Sequence, residues 1–164
     1  MKYTTLEKMF IFDEGIRLFP YKCKAGKWTI GVGHNIEANP IPGRNLSDLK
    51  KHGISINEAL GLFNDHILDR IAIANQYSWY KALNEPRQAV ILNIIYIRPA
   101  ALREWLKYKP ELTTALYNLK FRDAAEIMKT LKMARQLPKR FNRLIEQFAS
   151  GEWHPEYKNF EVKI

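Results

Sequence analysis

The spacing of apolar residues along the chain starts helical, becomes alternating, and returns to helical for the remainder. Thr4-Thr5-Leu6-Glu7 has the form of a capping box, in which the Thr hydroxyl and the Glu carboxylate satisfy each other's free backbone N–H groups. A helix is therefore predicted to open there and to stop at Gly15. From Leu18 the period shortens: LFPYKC and WTIGVG, joined by Lys24-Ala25-Gly26-Lys27, read as a hairpin. Pro40, Pro42 and Gly43 make Asn39 to Asp48 a loop. A second capping box, Ser55-Ile56-Asn57-Glu58, opens a longer helix, along which Ile56, Leu60, Phe63, Ile67, Ile71 and Ala74 recur at helical spacing.

Everything beyond reads as helix and turn. Asn84-Glu85-Pro86 opens an apolar helix from Arg87 to Ile97, with Pro99 near its end. Shorter helices are predicted at Leu112–Leu119 and Phe121–Lys132, and an amphipathic one from Pro138 to Ala149 stops at Gly151. Strands near the N-terminus and helices afterwards give an α+β class. The expected organisation is a single domain over residues 1–164. Within it, a small lobe spans about 15–55, a connecting helix about 56–76, and a helical lobe about 77–164 packed with the N-terminal helix. A cleft would lie between the lobes.

Composition narrows the setting. A chain of 164 residues with 46% hydrophobic and 26% charged residues is globular, which excludes intrinsic disorder. A net charge of +9 favours encounter with anionic polymers: nucleic acid, anionic lipid or the acidic polymers of a bacterial envelope. The cations are spread along the chain without a run of five or six. One cysteine excludes an internal disulfide and fits a reducing compartment. Glu7, Asp13 and Glu14 interrupt any apolar core of a secretory signal. No apolar run is long enough to span a membrane.

The candidate chemistry surrounds the hairpin. Glu14, Cys23 and Thr29 follow one another with eight and then five residues between them, a spacing that can gather them about one scissile bond. Breaking a glycosidic bond, for example, requires a proton for the leaving oxygen and a second group to handle the attacking water. Glu14, at a helix end and expected among Phe10, Phe12 and Phe19, is the candidate acid, because burial among apolar rings keeps a carboxyl protonated. Cys23 fits the second role less simply, since a thiol titrates near about 8.5 and an Asp carboxyl near about 3.9. The flanking Lys22 and Lys24 are expected to point to the opposite strand face and so not to act on it. Read alone, the three are more simply a solvated Glu, a small buried hydrophobe and a strand Thr. Gly31 and Gly33 would permit close backbone approach.

The chain resembles the T-even phage lysozymes over nearly its whole length. The resemblance is carried by Asp13-Glu14-Gly15 and by Thr29-Ile30-Gly31-Val32-Gly33-His34. It continues through Glu58-Ala59, Leu62-Phe63-Asn64 and Leu92-Asn93, and through Pro138, Arg140, Arg143, Phe148, Gly151 and Trp153. It implies a lysozyme-like fold and a muramidase that cleaves the β-1,4 bond between N-acetylmuramic acid and N-acetylglucosamine with inversion. Glu14 would be the acid, and Cys23 and Thr29 would handle water. Gly33, His34, Tyr96, Arg98 and Trp105 are the residues expected to meet the glycan. The expected partner is bacterial peptidoglycan, with no specific nucleic acid, no membrane span, no metal or organic cofactor, and a monomeric state. Cytoplasmic accumulation with holin-type release, or delivery within a virion, is the expected route.

The chain departs from the family at several positions. The middle catalytic position, Asp in many members, is Cys23. The histidine matched by His34 is often paired with an acid on the long helix, where this chain has His66. Tyr96-Ile97-Arg98-Pro99 stands where an aromatic-Gln-Met-Gly run is usual, so Arg98 would offer a cation to peptide-stem carboxylates. Three other readings follow: a cysteine hydrolase with Cys23 as nucleophile and His34 or His66 as base, a glycan-binding module without activity, and a basic DNA-binding protein. The last lacks a helix-turn-helix, a zinc finger and an aromatic-interleaved basic strip in the sequence.

Overall fold

The computed structural model describes residues 1–164, which divide into two compact units. Unit 1 comprises Met1–Ile67 and Phe160–Ile164, unit 2 comprises Leu68–Asn159, and the boundary falls inside a helix. A mixed composition of one small antiparallel sheet and many helices matches the expected α+β, lysozyme-like class.

Unit 1 begins with α1 (Thr5–Glu14), opened by the Thr4–Glu7 capping box and closed at Gly15. Strands β1 (Arg17–Lys22), β2 (Trp28–Gly31) and β3 (His34–Asn35) form one antiparallel sheet in that order. Tyr21 pairs with Thr29 and Lys22 with Trp28, and the register slips between Arg17 and Tyr21. The second expected strand stops at Gly31, two residues early, because Val32 and Gly33 turn the chain toward β3. Ile30, Ile36, Leu49, Ile54 and Ala59 make the core of this region.

The expected loop over Asn39–Asp48 ends sooner than the composition indicated. Helix α2 (Leu46–His52) starts inside it, with the Asn45 side chain accepting from Asp48 N–H. Arg44 fixes that start by donating to Gly53 O at 2.7 Å and by pairing with Asp48 and Glu58. Gly53 and Glu58 are nine and fourteen residues from Arg44, but the Asn45 cap is itself a local signal of the helix start. Helix α3 (Ile56–Ala74) then opens on the second capping box, with Ser55 N–H donating to Glu58 at 2.7 Å.

Unit 2 is helical. It holds the end of α3, then α4 (Ser78–Lys81), α5 (Glu85–Ile97), α6 (Ala101–Tyr108) and α7 (Pro110–Tyr117). The chain continues through α8 (Phe121–Met128), α9 (Lys132–Gln136), α10 (Pro138–Ser150) and α11 (Pro155–Lys158). The predicted helix over Phe121–Lys132 is two helices, because Thr130 and Leu131 form a turn on Ile127 O and Met128 O. Helix α5 is buried from Ala89 to Ile95, which explains its apolar residues on all sides. Helix α10 packs on both α5 and α8 and ends at Gly151 in the left-handed conformation. No helix is long and apolar enough to cross a membrane.

Candidate active site

Glu14 is the last residue of α1 and is half-buried. The helix ends there because Gly15 adopts a φ of 77° and donates its N–H to Ile11 O at 2.8 Å. The carboxyl lies against the turn after β2: a Cβ built on Gly33 would stand 3.4 Å from Glu14 Oε2. The expected apolar nest of Phe10, Phe12 and Phe19 is not formed. Phe10 packs on Phe63 and Phe12 meets Phe160 edge-on, since positions two apart on a helix diverge by about 200°. Phe19 is exposed and lies over Gly53.

The hairpin turn shapes Cys23. Its backbone N–H donates to Lys27 O at 3.0 Å and its carbonyl accepts from Gly26 N–H at 2.8 Å, which curls the turn around the thiol. The thiol is pulled below its ordinary value chiefly by the backbone N–H of Lys27. Burial opposes this, and Ala25 N–H and the Thr29 hydroxyl add to it. The flanking lysines are not among the groups that lower the thiol: Lys22 Nζ donates to Gly26 O and lies 4.9 Å from the Trp28 ring centroid, and Lys24 lies in the turn beyond the end of β1.

Thr29 is buried beside the thiol, and its hydroxyl donates to Lys27 O at 3.1 Å. A hydroxyl has one proton. With that proton on Lys27 O, Thr29 is an acceptor for the S–H of Cys23; facing a thiolate, it turns to donate. The Thr29 rotor is thereby coupled to the protonation of Cys23.

Tyr21 was not among the residues singled out from the sequence. It pairs directly with Thr29 across the sheet, and Arg17 stacks on its ring at 4.3 Å. Burial pushes the Tyr21 phenol up, Arg17 pulls it down, and the charges of Glu14 and Cys23 raise it again. Tyr21 therefore lies in the field of both candidate groups. The signal was available: alternation places residues 21 and 23 on one side of a strand.

His34 is buried, and both of its ring nitrogens are engaged. Nδ1 is 2.8 Å from His66 Nε2, and Nε2 is 2.7 Å from Asn39 O. Asn39 O only accepts, so His34 donates from Nε2 and its Nδ1 accepts from His66 N–H. This arrangement offers a sugar no polar atom of His34, and it leaves neither nitrogen free to act as a base. Burial lowers the His34 pKa, against the Asn39 hydrogen bond that raises it.

The remaining candidates belong to unit 2. Tyr96, near the end of α5, lies with its ring 5.9 Å from the Arg70 guanidinium. Arg98 donates from Nε and Nη2 to the two oxygens of Glu104, each at 2.7 Å, so the fork expected to meet stem carboxylates already holds one. Trp105 is buried and helps wall a pocket of about 310 Å³ with Arg98, Tyr108, Lys132 and Met133. No group of His, Cys, Asp and Glu has the arrangement of a metal site.

Comparison with known proteins places these features. The phage lysozyme family model matches residues 12–96, a span that holds Glu14, Cys23, Thr29, Gly33, His34 and Tyr96. A curated relative, the probable T4-type lysozyme 2 of Dictyostelium discoideum, is 30% identical over 172 residues. The alignment covers 94% of this chain and 99% of that protein. The chain belongs to the phage lysozyme family, and so to the glycoside hydrolases that degrade peptidoglycan.

Proposed function

We propose that the protein is a muramidase that cleaves the β-1,4 bond between N-acetylmuramic acid and N-acetylglucosamine by a single displacement. Glu14 gives its proton to the leaving oxygen as the C1–O bond breaks. Water attacks C1 from the opposite face, and its proton passes to the Cys23 thiolate, so the anomeric configuration inverts. Thr29 orients that water and, through its one hydroxyl proton, follows the charge on Cys23. Proton exchange with solvent then restores both groups.

The observation that carries this reading is the thiol held below its ordinary pKa by the turn N–H groups and Thr29, on the same hairpin that brings Gly33 against Glu14. The curl of N–H groups favours the thiolate, which is the form that accepts a proton from water.

The test is reducing-end release from purified peptidoglycan by the wild type and by Glu14→Gln. Loss of release in the folded variant supports Glu14 as the acid, and mass spectrometry of the fragments identifies the bond and the anomer. No release from the folded wild type on several wall types would sink the proposal in favour of a glycan-binding module.

A further inference from the structure

The cations that are dispersed along the sequence are gathered by the fold of unit 1. Residues 15–53 hold seven Lys and Arg against two acids, a large share of the chain's net charge of +9. Both acids are occupied. Glu37 pairs with Lys27 at 3.4 Å and accepts from Trp28 N–H, and Asp48 is taken by Arg44. Arg17, Lys22, Lys24, Lys50 and Lys51 form no ion pair.

Aromatic rings lie among these charges. The ammonium groups of Lys22 and Lys50 lie 4.9 and 4.0 Å from the Trp28 ring centroid. Lys50 belongs to the last turn of α2, and Gly53, three residues on, carries the ring of Phe19, two of whose atoms would stand 3.0 and 3.1 Å from a Cβ there. Phe19 remains 55% exposed, although a Phe at a strand position adjoining a hydrophobic core has an obvious place to hide. An aromatic-interleaved basic strip, absent from the linear sequence, is thus assembled from β1, β2 and the end of α2.

We propose that this strip docks the protein on an anionic phospholipid surface. Lysines without acidic partners are drawn to lipid phosphates, and their stems can lie along apolar surface while the ammonium stays in water. An exposed Phe among these cations finds an apolar destination at the headgroup–acyl boundary of a bilayer, which a purely polar polyanion lacks. The choice of lipid rests on Phe19, and the inference stands apart from the identity of the bond cleaved.

The experiment is vesicle flotation of the whole chain at low and high salt, with phosphatidylglycerol–phosphatidylcholine vesicles against phosphatidylcholine alone. The expected result is binding only to the anionic vesicles, weakened by salt and reduced about tenfold or more in Lys22→Glu/Lys50→Glu. Phe19→Ser should reduce binding several-fold at fixed salt, and Phe19→Trp should retain it. Thermal midpoints and hydrolysis of soluble wall fragments verify that each variant is folded. Equal binding by wild type and Phe19→Ser would overturn the proposal, since the surface would then read charge alone. Tighter, Phe19-dependent binding to single-stranded DNA than to vesicles would overturn it in favour of a nucleic-acid surface.

Discussion

Gly33 lies directly against Glu14, with the site of its missing Cβ 3.4 Å from Oε2 and 3.7 Å from both Cβ and Cγ of the glutamate. Its φ of 69° is one that L side chains rarely adopt. The glycine is therefore needed for the turn between β2 and β3, and a methyl there would lie in van der Waals contact with the carboxyl. Gly33→Ala should cost about 1 kcal/mol in stability through backbone strain. The added methyl reaches the carboxyl only at ordinary van der Waals distance, so any loss of kcat should come from a shift of the strained turn, with KM little changed. Denaturation and steady-state kinetics on the same sample separate the two effects.

The Cys23 thiol should titrate below its ordinary range. The rate of iodoacetamide alkylation against pH is expected to have a midpoint below that of an unperturbed cysteine, since the Lys27 and Ala25 N–H groups and Thr29 favour the thiolate. Thr29→Val should move that midpoint up. If the thiolate takes the proton from water, the activity of the wild type falls as pH drops through the same midpoint. Cys23→Asp then keeps activity to a more acidic pH, because a carboxylate loses its proton near about 3.9. Equal activity of Cys23→Ser across the range would show that thiolate chemistry is not used.

Arg87 should be a stability residue with no effect on catalysis. It donates to Phe148 O at 2.8 Å and Ala149 O at 3.1 Å, and its guanidinium stacks 3.7 Å from the Phe121 ring centroid. These bonds satisfy carbonyls at the end of α10, and Gly151 leaves room for the guanidinium just beyond. Arg87→Ala should cost about 2–3 kcal/mol, from two charge-assisted hydrogen bonds and the lost stacking. Denaturant unfolding should show the loss, with kcat of the folded fraction unchanged.

The signals that the sequence displayed plainly were short-range ones. Thr4, Ser55 and Asn84 accept from the N–H three residues on, and Gly15 and Gly151 end their helices, because a cap is decided within a few residues. Helix α2 was masked by Pro40, Pro42 and Gly43 just before it, although Asn45 caps it through Asp48 N–H as Thr4 caps α1. The candidate acid, thiol and hydroxyl were recognisable as residue types in a familiar order. Their electrostatics were not. What lowers the thiol is a curl of backbone N–H groups, visible only once the turn closes, while Lys22 beside it in sequence is engaged with Gly26 O and the Trp28 ring. Phe10, Phe12 and Phe19 are close along the chain but diverge in space, and the Arg98 fork is met by Glu104 six residues later.

The His34–His66 contact should make the fold sensitive to acid, in the opposite sense to a His–carboxylate pair. In the neutral pair one N–H points from His66 to Nδ1 of His34, while His34 donates to Asn39 O. A proton added to His34 must enter at Nδ1, the atom that accepts from His66, so it also forces His66 to give up that N–H or change tautomer. Burial already lowers the His34 pKa from 6.5. Below about 6.5 the unfolded chain takes up this proton and the folded chain does not, so stability is complete above that pH and declines as pH falls below it, by at most about 1.4 kcal/mol per unit. The decline levels off once the pH passes below the folded-state value. His66→Asp reverses the sign: an imidazolium facing a carboxylate raises the folded-state pKa, so stability is gained as pH falls from about 7 toward 5, until the carboxylate itself protonates. Thermal midpoints of the wild type and His66→Asp across this range should therefore move in opposite directions, and parallel curves would show that the histidine pair does not control the acid response.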